Sequence, residues 1–307
     1  MRRPFLALTA AGSLLLALPG AALAHGDQVP VSELDSAWNL SPAVLAPASL
    51  ALALYVQGFA RLRRRGRSDH APWWKALAFG AGLGLAVLVL VSPIDAIGED
   101  YLLSVHMLQH VVIGDAAAAL VLLGLTGPLL FFALPASVLG PLARAAPIRA
   151  LARLLSRPAV ALGIWAGVLA LWHVPAMFNA ALNARWVHDL EHISFVVAGF
   201  VMWYQLLDPA RRGHLTRSAR LGLAVVMFAA GQALASVLLF SGRVLYEPYA
   251  LQDERLLGLS PLADQRLAGG VMMAEQAIAL GTFAAFLLLA ADQEARAGAT
   301  LPARPRP

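Results

Sequence analysis

Along most of this chain the apolar positions neither alternate nor recur on one face; they run on unbroken. Seven such runs stand at roughly 43–61, 73–92, 103–125, 159–180, 187–207, 219–240 and 268–290, each near the length a helix needs to cross a bilayer. The pattern predicts an all-α fold, a polytopic membrane helix bundle of seven transmembrane helices. Ahead of them, residues 1–24 carry Arg2 and Arg3, an apolar core and Ala22-Leu23-Ala24, the form of a cleavable signal peptide. An uncleaved anchor is the competing reading. The organisation that follows is a signal peptide (1–24), an extracytoplasmic segment (25–42), a seven-helix transmembrane domain (43–291) and a disordered cytoplasmic tail (292–307).

The polar positions between the runs set the orientation. Arg61, Arg63, Arg64, Arg65, Arg67 and Lys75 follow the first run, and Arg144, Arg149, Arg153 and Arg157 follow the third. Arg211, Arg212, Arg217 and Arg220 follow the fifth, and Arg296, Arg304 and Arg306 the seventh. The alternate loops hold only Arg185, Arg243, Arg255 and Arg266. Seventeen against four places the N-terminus outside and the C-terminus inside, in a bacterial plasma membrane. The acids Asp95, Glu99, Asp100, Glu247, Asp253, Glu254 and Asp264 all fall on the outer side. The longest outer loop, about 241–267, is expected to lie along the interface with Tyr246, Pro248 and Tyr249. Small residues at 80–84 and 116–119 suit close helix packing.

Composition narrows the chemistry. With 59% hydrophobic and 13% charged residues, the chain is not a soluble globular protein, and its basic balance reflects topology rather than nucleic-acid binding. It has no cysteine, which excludes disulfides, thiolate metal sites and a cysteine nucleophile. Any metal must be held by His, Met, carboxylate or backbone groups.

Histidine supplies the candidates. His106 and His110 lie four apart, about 40° from each other around a helix, at the outer mouth of the third run. His188 and His192 repeat that spacing where the fifth run re-enters, and His173 ends the fourth. Five of the eight histidines thus share one outer layer, whereas His70 and His214 sit in Arg-rich inner loops. A single ring at a helix mouth is ordinarily satisfied by a carbonyl or by the interface; a matched set at one depth points to a metal or haem. Met107 flanks the pair in the third run, with Met177, Met272 and Met273 near the outer ends of theirs. Thioether with imidazole, in the absence of thiolate, favours copper and above all Cu(I). Glu191 and Asp264 stand where they could orient ligand imidazoles, or else cap helices or pair with Arg185 or Arg266. Cleavage after Ala24 would leave His25 as a chelating N-terminus. Asp115 and Glu275 lie deeper, as proton relays or as partners of polar groups such as Gln232.

Several stretches together resemble the multi-span CtaG family of cytochrome c oxidase assembly factors, first associated with caa-type oxidases. They are Ser92-Pro93, His106-Met107-Leu108-Gln109-His110, Gly124 through Pro128, Trp172-His173-Val174-Pro175, and His188-Asp189-Leu190-Glu191-His192. Asp264-Gln265, Gly269-Gly270 and Met272 complete them. The resemblance implies a seven-helix plasma-membrane protein that supplies or inserts copper, with roles for His106, Met107, His110, His173, His188 and His192. The implied partner is oxidase subunit I or its assembly intermediates. Met273, where a tryptophan is expected, and the acid at Asp115 depart from the family's pattern. A single-span copper chaperone that shares the name depends on cysteines, which this chain lacks. Three readings compete with copper donation. One is a haem protein with histidines as axial ligands. Another is a zinc hydrolase built on His188, Glu191 and His192 in the H-x-x-E-H pattern. The third is a copper transporter.

Overall fold

A computed structural model describes residues 28–213 and 215–299, and the described residues contain helices and turns without strands. The signal peptide, His25, His214 and the end of the tail lie outside them. The helices in order are α1 (Pro42–Arg64), α2 (Trp73–Val91), α3 (Pro93–Asp100), α4 (Leu103–Val111), α5 (Ala117–Gly124), α6 (Leu129–Phe132) and α7 (Ala136–Arg144). There follow α8 (Ala146–Leu155), α9 (Pro158–Trp172), α10 (Pro175–Asn183), α11 (Arg185–Leu207), α12 (Arg217–Phe240), α13 (Glu247–Leu251) and α14 (Pro261–Ala299). Among the described residues six helices are long and apolar enough to cross a membrane, or up to seven if the bent α8–α9 pair is one span. This is a multi-pass membrane protein.

The fourth expected run is where pattern and structure part. Pro175 has no amide hydrogen to donate and restricts the residue before it, so Val174 is extended and α9 stops at Trp172. At 15 residues α9 is only about 22 Å long. It meets α8 at a 76° bend. The seventh run is longer than its hydropathy suggests. Helix α14 begins at Pro261 and continues to Ala299, into the segment read as a disordered tail.

The third run is a continuous span, but a π-helical turn at Val112–Ala116, beginning two residues after His110, joins α4 to α5. Such a turn carries an extra residue and re-aims the chain on either side. Gly114, inside it, lies against Gly199 of α11. A Cβ on Gly199 would come within 1.9 Å of the Gly114 carbonyl oxygen, so only glycine permits this crossing. The small residues of α2 and α5 behave as expected. A Cβ on Gly82 would sit 2.8 Å from the Ala117 carbonyl oxygen.

Candidate metal site

The close crossing at Gly114 and Gly199 sets the two histidine pairs face to face. His106 and His110 project from α4, His188 and His192 from α11, and the spacing of four stacks each pair one turn apart. Ring centroids are 4.3 Å apart within the first pair and 4.1 Å within the second. Across the helices they are 5.4 Å for His106–His188 and 5.2 Å for His110–His192. Each ring offers one nitrogen that lies within 4.8 Å of those of the other three. A tetrahedral ion bound at about 2.0 Å would set its nitrogens about 3.3 Å apart. Small ring movements therefore close the set on one ion.

Partners behind the rings decide which nitrogen is free. Tyr249 donates its hydroxyl hydrogen to the Gly98 carbonyl at 2.6 Å, so its oxygen accepts from His106 Nδ1 at 3.2 Å. His188 Nδ1 stands 2.7 Å from Glu99 Oε1. In both rings the proton belongs on Nδ1 and the lone pair on Nε2, and both Nε2 atoms are buried without a hydrogen-bond partner. Burial pushes the Glu99 carboxyl up, but His188 and then Arg185 outweigh it and hold the group down at about 2. Burial together with Glu99 pushes the neighbouring Asp95 up to about 6, against a 2.6 Å hydrogen bond from Gln109.

Neither Glu99 nor Tyr249 stood out in the sequence as part of a site. Glu99 was visible only as one of several outer acids. Tyr249 belonged to a loop expected at the interface; instead α13 packs Tyr249 inward, 3% exposed, with Tyr246 fully buried beside it. Aromatic residues within a polar loop were the available signal.

The remaining expected residues divide. Glu191 is fully buried and hydrogen-bonds no ring from behind. Its oxygens lie 4.0 Å from His106 Nε2 and 3.8 Å from His110 Nε2, on the same side as the free lone pairs. Asp264 orients a helix rather than an imidazole. Its carboxylate accepts from the Leu103 and Ser104 amides at 2.7 and 3.1 Å and from the Ser104 hydroxyl, capping α4. His173 is outside the group of four; its Nδ1 donates to the Leu169 carbonyl at 2.8 Å. Met107 and Met272 line a cavity with His110 and His173, whereas Met177 packs with Trp172 and Ala181 in an apolar cluster. Asp115 accepts from the Trp203 indole at 2.6 Å.

His106, His110 and His188 are buried, and His192, whose Nε2 is buried too, is the one residue of the four that is partly exposed. It lies on the wall of a groove of about 1200 Å³ between α1, α2, α5 and α11, with Asp95, Glu99, Asp100, Arg185 and Asp189 also on its lining.

With this geometry in view, comparison with known proteins is informative. The model of the cytochrome c oxidase caa3 assembly factor family (Caa3_CtaG) matches residues 53–292. This chain belongs to that family. The match spans every helix that contributes to the histidine group, so the site lies wholly inside the family's common region. Uncharacterized proteins of Mycobacterium bovis and Mycobacterium tuberculosis are each 29% identical over 202 residues, 63% of this chain. One of Mycobacterium leprae is 26% identical over 196 residues, 61% of this chain. The chain spans about 30% of the length of these curated relatives. No solved structure matches it.

Proposed function

We propose that this assembly factor handles copper, holding Cu(I) among His106, His110, His188 and His192 and passing it to oxidase subunit I or an intermediate of its assembly. The observation that carries the reading is the convergence of four ring nitrogens, one from each histidine, within 4.8 Å, with His106 and His188 held at Nδ1 by Tyr249 and Glu99. Burying four imidazoles in an apolar bundle is costly unless something is bound there. Their spacing favours one small ion over a macrocycle. The lack of thiolate suits a carrier that must release its cargo. Seventeen basic residues on one side against four on the other support a plasma-membrane topology with the N-terminus outside, which sets the site near the outer surface.

The test is metal analysis of the purified protein, wild type beside His106→Ala with His110→Ala, together with the copper content of oxidase from cells carrying each. We expect copper in the wild type, its loss from the variant, and copper-poor oxidase from inserted but inactive variant protein. Normal oxidase copper in the variant would sink the donor role. Zinc in place of copper, with peptide hydrolysis that Glu191→Gln abolishes, would move the reading to a membrane hydrolase.

A further inference from the structure

The histidine and methionine layer read from the sequence divides in space, and the part outside the group of four has a shape of its own. A cavity of about 40 Å³ is lined by Met107, His110, His173 and Met272, with Asp115 and Gln276 also on its wall. The first four are 1%, 3%, 9% and 5% exposed, so all are at least nine-tenths buried.

His173 decides what the cavity is for. Because Nδ1 donates to the Leu169 carbonyl, Nε2 must carry the lone pair, and that atom is buried with no hydrogen-bond partner. A buried acceptor of this kind calls for an occupant. Water is one option, since a single molecule needs at least about 10–15 Å³. Asp115 is already engaged by the Trp203 indole and Gln276 by Gln232, and two thioethers are poor hosts for water because their sulfur accepts hydrogen bonds only weakly. Two thioethers with neutral imidazole are instead a donor set for a soft monovalent cation.

We infer that Met107, Met272, His173 and His110 form a second Cu(I) position, adjoining the four-histidine group through His110. Both ring nitrogens of His110 are buried without hydrogen-bond partners, so no hydrogen bond fixes which nitrogen carries its one lone pair. An ion passes between the positions by exchanging the thioethers and His173 for His106, His188 and His192, with no change of oxidation state. This inference rests on the copper reading above and extends it from a single site to a pair.

The experiment titrates full-length protein in detergent with Cu(I), anaerobically and against bicinchoninate, and records X-ray absorption at the copper edge. We expect two Cu(I) per chain, with the single lone pair of His110 bound to one of them, and sulfur in the ligand shell. Met107→Leu with Met272→Leu, a swap that conserves volume, lowers the count to one and removes the sulfur signal. His106→Ala with His188→Ala also lowers it to one but keeps the sulfur signal. A single Cu(I) with an all-nitrogen shell, unchanged in the methionine variant, means the cavity holds water only; the second position is then overturned and the four-histidine reading stands. No Cu(I) in the wild type overturns both.

Discussion

Glu99 is the penultimate residue of a short helix, α3, yet it settles the state of His188 on another span. Its carboxylate is held low, so it remains charged at neutral pH and keeps the His188 proton on Nδ1. Glu99→Gln weakens that constraint, and Cu(I) affinity should fall about 10- to 100-fold while the protein stays inserted. Competition titration reads this directly; unchanged affinity would mean that His188 is no ligand. Residues of this kind show how far sequence reading reached. The pairs His106/His110 and His188/His192 were legible because a spacing of four fixes their common face on any helix. Glu99 and Tyr249 were not, because their roles depend on where α3 and α13 cross α4 and α11, which no local spacing records. Asp264 was legible as a polar group near the site, but whether it met a ring or a helix end depended on how far α14 extended beyond its hydropathic core.

At the scale of elements, two contacts hold the histidine helices in place. The first is Gly199 against Gly114. Gly199→Ala introduces a methyl group where the backbone oxygen already stands, so α11 must move away. Overpacking of this kind costs about 1–3 kcal/mol. We expect a lower melting temperature in detergent and a loss of Cu(I) stoichiometry, because the same crossing sets the distance between the pairs. Retained stoichiometry would show that the rings find each other without it. The second contact is the Asp264 cap, which ties α14 to the first turn of α4. Asp264→Ala strands two amides and should cost about 1–2 kcal/mol, measured by thermal unfolding. The broken fourth run belongs to this scale too. Its apolar length was plain in the sequence, and Pro175 stood in view, but an apolar tally does not register the amide hydrogen that proline lacks.

Among the described residues the molecule follows the hydropathy pattern: six helices of spanning length and a shorter, bent one where a seventh was expected. Orientation rests on charge, and the absence of cysteine makes it easy to examine. A single cysteine at Ser260 should react with a membrane-impermeant maleimide in intact cells, and one at Ser68 should not. The opposite labelling would invert the topology and put the histidines on the cytoplasmic side.

The position of His192 on a groove wall sets it apart from the other three histidines. His106, His110 and His188 stand deep in packed helices, while His192 borders a lateral groove. On the copper reading proposed above, ligand replacement would start at this corner, with the other three still fastened. Substitution at position 192 should then speed release more than substitution at any of the three deeper positions, which stopped-flow transfer of Cu(I) to bicinchoninate would read.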